Sequence, residues 1–349
     1  MPAKLPFQID YLSPSQLDKF KLSLKENQQS PLLLIAHKPI DNKDFDIKDS
    51  SLIRVNSGLK TISQDNVSCY ELWSAPGKWL FNKEMSKTHS EFNYAYNDEF
   101  FIAGISVNLS HKRTLQDLSQ LVYQEILTLI KKYNKTNILR MWNYFPKINQ
   151  IDNNLERYQQ FCVGRYCAFD NISNYPAASA VGNFSSSLVV TFIASKNKPV
   201  FIENPEQISA YEYPEVYSPK SPSFSRACFN SGDKDSQLFI SGTASITGHQ
   251  SRYTNDILGQ TRLTLNNLDT LIKHTNSSIL KKDKFKLLMS DKKISDKGSP
   301  AIKVYVRNPE QQPKIAAILE KYIQKESICY LQADICRQEL DIEIELFYP

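Results

Sequence analysis

Three acids alternate with aliphatic residues in Asp341-Ile342-Glu343-Ile344-Glu345-Leu346. On an extended strand Asp341, Glu343 and Glu345 share one face while Ile342, Ile344 and Leu346 share the other. Read from the pattern alone, that is the wet face of an antiparallel strand. A carboxyl on such a face becomes a proton donor near neutral pH only if it is desolvated. A second chemistry-bearing stretch is Glu203–Ala227, ENPEQISAYEYPEVYSPKSPSFSRA. Tyr211, Tyr213, Tyr217 and Phe224 are interleaved there with Pro205, Pro214, Pro219 and Pro222. Prolines at this density exclude a helix or a central strand. The aromatic content argues against disorder, and long ordered loops of this kind commonly carry function. The small residues Gly242–Ser245 that follow would let backbone approach a ligand closely.

Other chemistries are not supported. The six cysteines, Cys69, Cys162, Cys167, Cys228, Cys329 and Cys336, form no CxxC pair, and with the five scattered histidines they give no metal-ligand spacing. No P-loop or GxGxxG fingerprint is present. The net charge of +5 suits an anionic small molecule and is too small to argue for nucleic acid. The one basic cluster, Lys281–Lys297, reads as a solvated loop. No apolar run reaches the length of a membrane span, and MPAKLPFQID lacks a signal-peptide pattern. A cytoplasmic protein with reduced thiols is expected.

The elements that must hold these residues follow from periodicity. Pro31–His37, Ser51–Val55, Ser68–Ser74 and Glu99–Leu109 suit strands. Thr114 is placed to cap a helix running to about Tyr133. Ile138–Trp142 suits a buried strand, Asn153 to about Phe169 a helix, and Leu188–Ala194 and Pro199–Glu203 two further strands. The order then repeats. Gln237–Gly242 and Ala244–Thr247 are strands, Asp256 caps a helix, and Phe285–Met289 and Ile302–Val306 are strands. A helix over Lys314–Tyr322 precedes the strands Ile328–Ala333 and Ile342–Phe347. The reading is α+β, with two modules, each a mixed sheet with two helices on one face. The division is placed between residues 1–225, with an extra N-terminal segment and the Tyr/Pro loop, and 226–349, with the alternating acids.

The Tyr/Pro run followed by SGTASITGH resembles the chorismatase family, enzymes that remove pyruvate from chorismate. Three further blocks carry the resemblance in the same order: LRMWNYFPKIN (Leu139–Asn149), ERYQQFCVGRYCAF (Glu156–Phe169) and ADICRQELDIEIE (Ala333–Glu345). The resemblance implies a duplicated YjgF-like (Rid) fold within one chain, chorismate as substrate, and no metal or organic cofactor. It leaves a monomer and a homotrimer both open.

By the same resemblance Glu343, the first Glu of EIE, is the catalytic acid, which places it at the floor of an apolar pocket. Chorismate is a dianion, so guanidinium forks are its natural partners. Arg140, Arg165 and Arg226 lie inside family-like blocks and are the candidates, with Arg337 a weaker one. Tyr144, Tyr211 and Tyr213 are candidates to bond a carboxylate or ring hydroxyl, whereas Trp142 reads as core. His249 reads first as a packed hydrogen-bonding residue. The resemblance implies that two positions sort family products, and they fall on Ala244 and Cys336. The cysteine points to 3- and/or 4-hydroxybenzoate, the alanine to hydrolysis giving a dihydroxycyclohexadiene acid. The expectation leans to a hydroxybenzoate. A Rid-type enamine/imine deaminase and a non-catalytic binding module are the alternatives.

Overall fold

A computed structural model describes residues 7–26, 28–37, 51–62, 69–109, 113–169, 174–231, 236–290, 293–294 and 299–349. Five helices are named in chain order: α1 (Pro14–Glu26), α2 (Leu115–Lys132), α3 (Arg157–Ala168), α4 (Ile257–His274) and α5 (Gln312–Leu319).

Two of the sheets share one plan. In the first, Ala177–Asn183, Asn137–Pro146, Ser187–Ser195, Phe100–Asn108, Glu91–Tyr96 and Leu80–Met85 lie side by side. In the second, Ile328–Gln332, Ala301–Val306, Ile342–Tyr348, Ser236–Ala244, Ala227–Ser231 and Val200–Ile202 take the same places, with Lys60–Thr61 added at one edge. In each sheet one parallel pair, Ala177–Asn183 with Asn137–Pro146 or Ala301–Val306 with Ile328–Gln332, joins otherwise antiparallel strands. Helices α2 and α3 intervene at the same points of the first copy as α4 and α5 do in the second. The duplicated α+β order is therefore present. The division expected after residue 225 cuts the second sheet, because Val200–Ile202 pairs with Ala227–Ser231. The Tyr/Pro segment is an insertion between the first two strands of the second copy.

Helix α2 is amphipathic and sets Leu118, Val122, Ile126 and Leu129 into the core of the first sheet. Thr114 caps it by accepting the Asp117 N–H at 3.1 Å, as expected. Asp256 does the same for α4 through the Gly259 N–H at 3.0 Å. Helix α3 lies tight against α2. A Cβ at Gly164 would meet the Gln116 carbonyl oxygen at 2.2 Å, so only glycine admits this approach. The tight packing sets the position of the next residue, Arg165.

Residues 7–76 do more than extend the first sheet. Gln8–Leu12, Cys69–Pro76, Gln29–His37 and Ile53–Asn56 form a third, four-stranded sheet. Leu17 on α1 packs with Leu12, Leu34 and Leu72 on one of its faces. Its other face joins the other two sheets in one shared core, where Trp73 meets Trp142 at 5.2 Å and Phe347 at 5.1 Å. Three sheets thus face inward, each with its helices on the far side.

One expected strand is absent. Phe285–Met289 is irregular because its backbone is bound by side chains instead of a ladder. The Phe285 N–H donates to Asn276, and the Leu288 and Met289 N–H groups donate to the Asp269 carboxylate at 2.6 and 2.9 Å.

Candidate active site

The seam between the two related sheets opens into a cavity of about 290 Å³. Its walls come from α3, the small-residue strand Ala177–Asn183, the Tyr/Pro segment, the end of Ser236–Ala244, and Cys336–Glu339. Glu343, on the closing strand Ile342–Tyr348, lines it too.

Glu343 is 4% exposed. Burial pushes its carboxyl up from the ordinary value of 4.5 to about 8, the neighbouring Glu345 carboxylate adds to the rise, and Arg140 and Arg226 oppose it. The alternating acids therefore lie on a buried face, not a wet one, at both Glu343 and Glu345. Backbone makes the room for this carboxyl. A Cβ on Gly242 would stand 1.8 Å from Glu343 Oε1 and 2.9 Å from Ser179 Oγ. The small-residue patch thus serves to admit a side chain from the neighbouring strand.

Three guanidinium groups face the cavity, those of Arg165, Arg226 and Arg337. None makes an ion pair among the described residues. Arg165 lies over the Tyr123 and Phe169 rings at 5.1 and 5.2 Å, and its Nε is buried without a partner. Arg226 donates through Nη2 to the Tyr213 hydroxyl at 2.7 Å and the Ile208 carbonyl at 3.1 Å. Its Nε too is buried and unsatisfied. Arg337 stacks 4.0 Å from the Tyr217 ring and donates to the His249 carbonyl. Buried cations that lack a carboxylate partner make a strong anion receptor.

Cys336 and Ala244 line the same cavity. Burial, helped by Glu343, pushes the Cys336 thiol up to about 12, so it is a neutral group. Tyr158 also lines the cavity, and its phenol is pushed well up by burial and by Cys162, Cys336 and Glu343. His249 accepts or donates at 3.0 Å with Tyr217, packed as a hydrogen-bonding residue.

Seven of the residues selected from sequence, Glu343, Cys336, Arg165, Tyr213, Arg226, Ala244 and Arg337, meet in this cavity. Three do not, and each has a physical reason. Arg140 lies behind the cavity because its Nη2 is held by Glu345 at 2.7 Å and Ser179 at 2.5 Å. Tyr144 is in the shared core, its hydroxyl 3.4 Å from those of Tyr305 and from Lys303 Nζ. Tyr211 is 39% exposed and packs on Tyr175 at 5.5 Å, since it sits within a short turn of 3₁₀ helix, Ala210–Glu212, that ends at the buried Tyr213. Ser179 and Tyr158 were not singled out from sequence, and Tyr217 was noted only as part of the Tyr/Pro stretch. Ser179 sits in AASAVGN, where small residues give no strand signal.

The residues 71–194 match the family "Chorismatase FkbO/Hyg5-like, N-terminal". A 3-hydroxybenzoate synthase from Streptomyces hygroscopicus is 32% identical over 283 residues, covering 76% of this chain and 79% of that protein. The chain belongs to the chorismatase family. A chorismatase from Streptomyces rapamycinicus is 30% identical, with 83% of this chain and 85% of that protein covered. A crystal structure of a chorismatase superposes with a TM-score of 0.82 over 100% of both chains at 23% identity, which shows a common fold. Among the described residues of this chorismatase no helix is long and apolar enough to cross a membrane.

Proposed function

We propose that this chorismatase converts chorismate to pyruvate and a hydroxybenzoate, 3- and/or 4-hydroxybenzoate, with Glu343 as the acid. The observation that carries the reading is a carboxyl raised to about 8 on the floor of a cavity whose guanidinium groups have no carboxylate ion-pair partner among the described residues. Arg165, Arg226 and Arg337 supply charge for both carboxylates of the dianion. Tyr213, already bonded to Arg226, orients that guanidinium and presents its hydroxyl beside it.

Glu343 gives its proton to the methylene carbon of the enolpyruvyl ether, and the adjacent carbon becomes an oxocarbenium ion. The carboxylate left behind stabilises that cation. A nucleophilic oxygen, from water or from the ring hydroxyl of the substrate itself, adds to the cationic carbon. The ring hydroxyl gives up its proton as it adds, which forms an internal ketal. One ring C–O bond then breaks and its oxygen becomes the pyruvate carbonyl, while the other ketal C–O bond breaks to leave its oxygen on the ring, where it takes up the hydroxyl proton. No water is consumed, and the hydroxybenzoate and pyruvate together contain every atom of chorismate. The proton lost as the ring aromatises returns to Glu343. Cys336, neutral and next to Glu343, lines the place where a hydrolytic water would stand, and the relative named 3-hydroxybenzoate synthase supports the aromatic product.

Incubation with chorismate, coupled pyruvate detection and chromatography of the product test the reading. Pyruvate with hydroxybenzoate is expected, and Glu343→Gln is expected to abolish its release. Pyruvate release unaltered in that variant would sink Glu343 as the acid, and a dihydroxycyclohexadiene acid would show hydrolysis in place of aromatisation.

A further inference from the structure

Behind the cavity the three sheets meet on four ionised side chains that a ligand in the cavity does not touch. Glu345 Oε2 accepts from Arg140 Nη2 at 2.7 Å and Ser179 Oγ at 2.5 Å, and its Oε1 faces Lys303 Nζ at 2.8 Å. Lys303 in turn lies 2.9 Å from Glu71, whose carboxylate also accepts from Trp73 Nε1 at 2.7 Å and meets His37 at 3.2 Å. All four charged groups are at most 5% exposed in their side chains. Burial opposes ionisation of Glu345 and Glu71, but Lys303 beside both, with Arg140 on Glu345, outweighs it and holds both carboxyls low. His37, held down by burial, adds no charge. The cluster contains two cations and two anions, so it is closed on itself.

Glu343 is two residues from Glu345 on the same face of one strand. The charged groups nearest it are Glu345, which raises its proton affinity, and Arg140 and Arg226, which lower it. Neither arginine reaches it as an ion pair among the described residues. Tyr305, directly across the sheet from it, donates to Glu345 at 3.0 Å. Cys336 and Tyr158 face it as neutral groups. Across the cavity stand Arg165 and Arg337, with Glu156 and Glu339 among the lining acids, and Asp341, just before its strand, lies 4.0 Å from Arg307.

We infer that the closed Arg140–Glu345–Lys303–Glu71 cluster is a positioning device that commits Arg140 and Lys303 to other carboxylates and so keeps the Glu343 carboxyl in its neutral, proton-donating form. The inference rests on Glu343 being the acid. It makes Lys303 and Glu71, one of them supplied by the N-terminal sheet, determinants of the pH range of the reaction.

The test is the pH dependence of kcat/KM for pyruvate release. Alongside it, the infrared C=O band of a protonated carboxyl that Glu343→Gln removes reads the same group without turnover. Glu345→Gln deletes the neighbouring negative charge and releases Arg140, so the basic limb and the band midpoint should both fall by about one pH unit or more. Lys303→Met leaves an excess negative charge, so both should rise. The paired exchange Lys303→Met with Glu71→Gln removes one charge of each sign and should return both to within about half a pH unit of the parent value. Single variants that shift the same way, or not at all, overturn the inference. If the single variants do not fold, the paired exchange decides alone, and a midpoint moved by a full unit overturns it. Failure of the acid assignment is distinguishable: Glu343→Gln would then still release pyruvate, whatever the cluster variants do.

Discussion

Replacing Glu343 by Gln should make the protein more stable relative to the parent as pH rises. Gln matches the shape of the neutral carboxyl and has no proton to lose. In the parent, the native state keeps a proton up to about pH 8, whereas the unfolded chain releases it near 4.5. Between those values the native state binds one proton more than the unfolded state, so parent stability falls with rising pH. The slope for one proton is about 1.4 kcal/mol per pH unit. At pH 7 the cost to the parent relative to Gln is about 3 kcal/mol, rising to about 5 kcal/mol above pH 8, given a shift from 4.5 to about 8. Urea unfolding of both proteins at pH 5, 6, 7 and 8 reads the difference, in which other titrating groups such as Glu203 and Asp10 cancel. A gap that widens in favour of Gln is expected. A gap constant over this range, or one that closes as pH rises, would refute a neutral buried Glu343.

Further outcomes are expected at neighbouring residues. Gly242→Ala puts a Cβ 1.8 Å from Glu343 Oε1 and must displace the carboxyl, so kcat should drop by about 100-fold or more while circular dichroism stays native. Arg226→Lys loses the planar fork and the bond to Tyr213, and KM for chorismate should rise on the order of 10- to 100-fold in steady-state assays. Cys336→Ala opens space beside the acid without removing it. Product chromatography should show a larger share of the hydrolytic diol, with total pyruvate release kept within about 10-fold.

Much of this was legible because the chemistry sits on strongly patterned elements. Thr114 and Asp256 announced their helices through ordinary capping, and the alternation in DIEIEL set Glu343 and Glu345 on one face. What the pattern could not give was which face is dry, since that depends on strands far away in sequence, such as Asn137–Pro146 and Ala301–Val306. The ion cluster was hidden for the same reason. Lys303 stands in IKVYV and Glu71 in CYELW as single charges among apolar residues, and each becomes intelligible only when the other is 2.9 Å away. Ala177–Asn183 carries little strand propensity and is held by its neighbours, so it and Ser179 went unread. Helix α1 did leave a signal: Ser13 precedes Pro14 at the first turn, and the Gln16 side chain accepts the Ser13 N–H at 2.8 Å. The sorting of Arg140 from Arg165 and Arg226 required coordinates, because all three are buried and differ only in whether a carboxylate already holds them.

The related copies are joined at their first two strands in different ways. Leu80–Met85 turns into Glu91–Tyr96 through a brief hairpin, whereas Val200–Ile202 reaches Ala227–Ser231 only after the whole Tyr/Pro excursion. An assembly of identical subunits would have to repeat such an excursion at every seam, useful or not. Fusion of the copies lifts that obligation, so the excursion can be carried by one copy alone.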